Sequence, residues 1–181
     1  MNIGTALKTL IFAGSLIFFA LSLTVHVAGA QQEPAKAPAN QNVIAGTWIL
    51  IDAPEIRSDG SRGETFGPHP KGILMIDESG QYSLQIFQTD RPRFASGDKR
   101  RGTEKEYQAA ALGMSSHIGH CFLDPENGVI IFRIEAASFP NWDGTEQKRK
   151  YTLSGDELTY QVPAAAGGNG TTAISSWRRV R

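Results

Sequence analysis

The chain has a single cysteine, Cys121, among its 181 residues. No intrachain disulfide can form, so the fold must be stabilised by its core. No Cys-x-x-Cys, Gly-rich phosphate loop, nucleophile elbow or His-Glu-x-x-His occurs, and nucleotide and nucleic-acid binding therefore have no motif behind them. Net charge is missing too: 18 basic residues balance 18 acidic ones. A balanced chain has no long-range field to collect nucleic acid or an anionic membrane surface. Basic residues cluster only locally, at Lys99-Arg100-Arg101 and Lys148-Arg149-Lys150. Long apolar runs are absent except for Leu10 to Leu23, which falls short of the ~20 residues a spanning helix needs. With Lys8 ahead of it and the small-x-small site Ala28-Gly29-Ala30 behind it, this run reads as the core of a secretory signal peptide over residues 1–30. The expectation is export to the periplasm or the medium, with no stable membrane insertion after cleavage. Loss of Lys8 leaves 17 basic against 18 acidic residues, a formal charge of −1.

What is present is a polar, Ala- and Pro-containing linker over residues 31–42, then a domain over 43–181. Short β-rich runs follow one another with turn signals between them: 43–53, 71–76, 81–88, 117–123, 129–136, 146–153, 157–162 and 172–180. In the third, Tyr82, Leu84 and Ile86 share one face. Asp77-Glu78-Ser79-Gly80 and Asn127-Gly128 are hairpin signals. Between the third and fourth runs, Thr103-Glu104-Lys105-Glu106 is a capping box that opens a helix to Gly113. Tyr107, Ala111 and Met114 form an apolar stripe on that helix, expected to pack into the core. The expected fold class is all-β: an eight-stranded antiparallel up-and-down barrel with one helix inserted after the third strand. Closure removes the exposed edges, and eight strands leave room for a packed interior or one small ligand.

The ordered segments Gly46-Thr47-Trp48, Phe66-Gly67-Pro68-His69-Pro70-Lys71-Gly72 and Asp90-Arg91-Pro92-Arg93-Phe94-Ala95-Ser96-Gly97-Asp98 resemble the lipocalin-like domain of bacterial and fungal proteins. So do Thr103 to Tyr107, Ser138 to Gln147 and the closing Trp177-Arg178-Arg179. The resemblance covers residues 43–181. It implies a lipocalin-like barrel with a central cavity, with small hydrophobic molecules as ligands of some members and isomerisation or cyclisation as the activity of a few relatives. It also implies that Trp48, behind Gly46, packs under an arginine of the last strand and closes the barrel's base. Strand alternation puts Trp177 and Arg179 on one face and Arg178 on the other, which favours Arg179 as that partner.

His117 and His120 lie just before Cys121, but in a strand the two histidines point to opposite faces. His117 and Cys121 lie about 13 Å apart at ~3.3 Å per residue, so no metal site is expected. The fuller candidate set for ligand binding is Glu135, Gln147 and Arg149, with Tyr151, Tyr82, His117 and Trp142. Gln147, Arg149 and Tyr151 form the less charged face of their strand and are expected to look inward. A buried arginine needs a partner, and Glu135 is the candidate across the hairpin. Phe139 and Trp142, or Phe94 and the helix as a lid, stand at the expected mouth. The leading expectation is a non-enzymatic exported barrel that takes a small hydrophobic molecule and uses no cofactor. The alternative is a cofactor-independent isomerase, cyclase or hydrolase with Glu135 or a histidine as its acid/base, and a filled barrel with a structural role is a third. Oligomeric state is not readable from the sequence.

Overall fold

The first barrel strand, β1 (Gly46–Asp52), alternates between buried and open positions, with Trp48 and Leu50 turned inward and Ile49 and Ile51 outward. The same period-two pattern builds β4 (Lys71–Ile76), β5 (Gln81–Phe87), β6 (Met114–Asp124), β7 (Val129–Ala137), β8 (Glu146–Ser154), β9 (Glu157–Val162) and β10 (Thr172–Arg179). This computed structural model describes residues 43–162 and 170–181. The expected signal peptide and linker lie outside the described residues.

The eight long strands pair antiparallel in the order β1-β4-β5-β6-β7-β8-β9-β10, and β10 pairs back onto β1. The expected closed up-and-down barrel is therefore the fold. Its two ends differ. Tight turns at 77–80, 125–128 and 155–156 join strands at one end, where Trp48 sits. The described long connections, 53–70, 88–113 and 138–145, gather at the other, where β9 also ends and β10 begins. That second end is the mouth.

Three elements depart from the sequence reading. Two short strands, β2 (Glu55–Ile56) and β3 (Arg62–Gly63), form a flap that hydrogen-bonds to the mouth end of β10. The helix α1 (Glu104–Leu112) has the expected capping box, with the Glu106 carboxylate accepting from the Thr103 amide at 2.6 Å and the Thr103 hydroxyl accepting from the Glu106 amide. Its stripe, however, is not core: no residue of α1 is buried, and Tyr107 packs edge-on against Phe94 at 5.4 Å. Phe94, from the flanking loop, meets Tyr107, yet Tyr107 and Ala111 stay exposed.

The third departure is a β-bulge. Ile118 pairs with Ala136 while its neighbour Gly119 pairs with Ile134, leaving Glu135 as the extra residue on β7. Both Glu135 and Ala136 then face outward, and Ala137 comes into register with the inward His117. Gly119 sits at φ 149, and a Cβ there would lie 2.0 Å from the Arg133 carbonyl oxygen. Only glycine fits. Among the described residues, no helix is long and apolar enough to cross a membrane.

Candidate functional site

The barrel is filled at its turn end and hollow toward its mouth. Trp48 is fully buried, its Nε1 donates to the Ile44 carbonyl at 2.9 Å, and the Arg179 guanidinium lies 4.1 Å from the ring centroid. Arg179 also donates to the carbonyls of Val43 and Ala45. Trp48 and Arg179 are Cα partners across β1 and β10. The alternation that sends Arg179 inward sends Arg178 out to Glu157, at 3.1 Å.

Above this floor an aromatic stack climbs the interior. Trp177 stacks on Tyr160, Tyr160 meets Phe132 edge-on at 5.4 Å, Phe132 meets His117 at 5.6 Å, and His117 meets Trp142 at 5.9 Å. The hollow lies beside the upper part of this stack and has a volume of about 270 Å³. Leu84, Ile86, Val162, Ile174, Ala53, Ala173 and Phe66 give it an apolar wall. Arg149, Tyr160, Ser175, His117 and Ser115 give it polar points, and Glu55, Thr65 and Trp142 reach it from the flap and the 138–145 loop. Trp142 is held by a 3-10 turn, Pro140–Trp142, with the Thr145 hydroxyl donating to its carbonyl and Asp143 accepting from the Ala137 amide. A larger hollow, about 400 Å³, is an open groove on the outer face of β8 and β9.

Arg149 dominates the electrostatics of the hollow. It is 2% exposed, and its guanidinium lies over the rings of Phe132 and Tyr160, at 4.4 and 5.2 Å. Its Nη2 donates to Gln147 Oε1 at 2.7 Å, and its Nε has no acceptor. No carboxylate forms an ion pair with it among the described residues. Burial pulls its pKa down, yet a guanidinium keeps its charge. Its field reaches His117, whose Nδ1 is 2.7 Å from the Tyr82 hydroxyl. Burial first, then Arg149, pushes His117 down to about 3, so the imidazole is neutral. Burial raises the Tyr82 phenol and the Cys121 thiol, and both keep their protons. Tyr160 is fully enclosed; Ser175 and Trp177 stand beside its hydroxyl, but no group meets it in hydrogen-bond geometry.

The expected site residues divide as follows. Arg149, His117 and Trp142 line the hollow. Gln147 touches it only through Arg149, and Tyr82 only through His117. Tyr151 packs against the core but away from the hollow. Glu135 is corrected: it is on the outer face, 3.1 Å from His120 Nδ1, because its neighbour Ile134 points inward and successive strand residues alternate. It partners neither Arg149 nor anything else inside the barrel. His117 and His120 face opposite ways, and among the described residues no three metal-ligating side chains converge. Phe94 and α1 do not line the hollow. Tyr160 and Ser175 were missed, although Leu158, Tyr160 and Val162 alternate, and Ser175 shares a face with Trp177. The flap residues Glu55 and Thr65 carried no such signal.

A closed antiparallel barrel, plugged at one end and hollow at the other, defines a class of small cavity-bearing β-barrels. Within that class the chain belongs to the lipocalin-like domain family, which it matches over residues 45–180. It is 28% identical, over 107 residues, to the 4'-hydroxy-3'-methoxypropiophenone carrier protein of Aspergillus oryzae, an alignment that covers 54% of this chain and 96% of that protein. No solved structure matches the chain.

Proposed function

We propose that the barrel is a carrier that holds one small, mostly apolar molecule in the hollow above Phe132 and Tyr160. The observation that carries this reading is Arg149: a buried charged group at an apolar-walled cavity with only a neutral Gln147 as acceptor. Pockets that bind small molecules combine an apolar lining with a few convergent polar groups. The relative from Aspergillus oryzae is named as a carrier of an aryl ketone, and family membership adds support to a binding role. Titration of single-ring aromatic ketones, with Trp142 fluorescence as the signal, tests it, together with native mass spectrometry of the purified protein. Saturable quenching or a copurifying small molecule supports carriage. A protein that arrives empty and ignores a panel of aryl ketones, amides and acids is not a carrier of this kind.

Export belongs to the same proposal. Cleavage after Ala30 gives a mature chain that begins at Gln31, and N-terminal sequencing of the protein from its native host reads that directly. Acid/base catalysis by Glu135 has lost its residue to the outer surface.

A further inference from the structure

Among the described residues, three buried polar atoms of the barrel interior meet no hydrogen-bond partner: Arg149 Nε, Trp177 Nε1 and the Tyr160 hydroxyl. A guanidinium N–H and an indole N–H can only donate. The two nitrogens therefore lack acceptors, and Arg149 and the unpartnered Tyr160 hydroxyl both border the hollow. Charge is short in the same direction. The carboxylate nearest the hollow is Glu55, and it is engaged by the Thr65 hydroxyl at 2.6 Å and by Arg57 at 3.4 Å. His117, also on the hollow, meets Tyr82. The interior thus holds one uncompensated positive charge, an arrangement that is costly unless something negative joins it.

Resting on the carrier reading, we infer that the ligand is an anion: a small apolar acid whose carboxylate or phenolate oxygen sits against Arg149 and the Tyr160 hydroxyl. The volume sets its size. About 270 Å³ corresponds to roughly nine waters at ~30 Å³ each, hence to about ten non-hydrogen atoms: one ring with a short substituent. The anionic oxygen supplies the missing acceptor and the missing charge, and the ring lies against Leu84, Ile86, Val162 and Ile174. A simple inorganic anion would meet Arg149 but leave that wall against water.

The test is calorimetric titration with an isosteric pair, 3-phenylpropionate and 3-phenylpropionamide, at neutral pH and fixed ionic strength. The carboxylate is expected to bind at least about tenfold tighter than the amide, the scale of one charge-assisted hydrogen-bonded contact. Arg149→Met is expected to reduce that ratio to about one, and Arg149→Lys, which keeps the charge without the fork, to retain part of it. Tyr160→Phe lowers carboxylate affinity by a few fold and serves if Arg149→Met fails to fold. Equal affinity of the two probes for the native protein, or a preference that survives Arg149→Met, overturns the anion inference and leaves the carrier reading standing. No binding of either probe by a protein that does bind an aryl ketone overturns the anion inference alone, and no binding of any of these molecules overturns both.

Discussion

Trp48 is tied by its ring, its ring nitrogen and its neighbours: Arg179 lies over the face, Ile44 accepts from Nε1, and Leu74 is the residue paired with it on β4. Truncation to alanine removes a fully buried aromatic and strands Arg179. Trp48→Ala should lower unfolding free energy by roughly 3–5 kcal/mol, measured by urea titration; an unchanged midpoint would mean that the floor is elsewhere. His117 gives a pH-dependent counterpart. Its folded pKa is about 3 against an ordinary 6.5 for histidine, so between those limits the unfolded chain binds the extra proton. Acid therefore favours unfolding. The stability difference between the native protein and His117→Gln should fall by about 1.4 kcal/mol per pH unit from pH 6 to 4, and a difference that stays constant would refute a neutral, buried imidazole. The groups facing that ring are Tyr82 on β5, Phe132 on β7, Trp142 and the Arg149 charge on β8. At this scale the sequence was legible wherever simple alternation holds. Lys148 and Lys150 point out, so Arg149 points in, and Arg178 and Arg179 divide the same way. Glu135 was misread because its inward placement conflicts with Ile134, its buried neighbour on the same strand; adjacent residues cannot both enter a barrel.

The barrel strands show why alternation alone stops short. β6 runs regularly, with His117, Cys121 and Leu123 inward, whereas β7 carries an extra residue opposite Gly119. Nothing in the composition of β7 marks that insertion; the signal is on its partner, a glycine inside an otherwise apolar strand, which is where bulges form. Gly119→Ala places a Cβ 2.0 Å from the Arg133 carbonyl oxygen at φ 149. The ladder must open or β7 must shift. A loss of more than about 3 kcal/mol is expected, in the range reserved for strain at a special backbone position. Gly128→Ala provides the comparison. It also has positive φ, 65, but its Cβ meets nothing within 4 Å, so its cost should be near 1 kcal/mol. Thermal melts of the two variants that coincide would remove the bulge from the argument. The capping box of α1 was legible because it is a local, four-residue device. The flap was not, because strands of two residues have no period to read, and their partner on β10 is more than a hundred residues away. The exposed stripe of α1 failed for a related reason: periodicity identifies an apolar face but not what covers it.

Over the whole molecule, the closed arrangement separates stability from binding. Tight turns, Trp48 and Arg179 occupy one end, while the flap, the 138–145 loop and the hollow occupy the other. Trp48 and Arg179 are not among the residues that line the hollow. A ligand that binds only the folded barrel stabilises it by about 2.7 kcal/mol at a hundredfold excess over Kd, which for a domain of this size is an upward shift in Tm of roughly 5–10 °C. Effects at distant sites with no shared partners add. Trp48→Ala should therefore melt well below the native protein yet show the same ligand-induced shift with 3-phenylpropionate, whereas Arg149→Met should lose most of that shift whatever its own Tm. Differential scanning calorimetry of the native protein and both variants, with and without the acid, measures the six values needed. A Trp48→Ala protein that no longer responds would mean that the floor and the hollow form one cooperative unit, because the aromatic stack from Trp177 to Trp142 would then be transmitting the loss of the plug into the cavity.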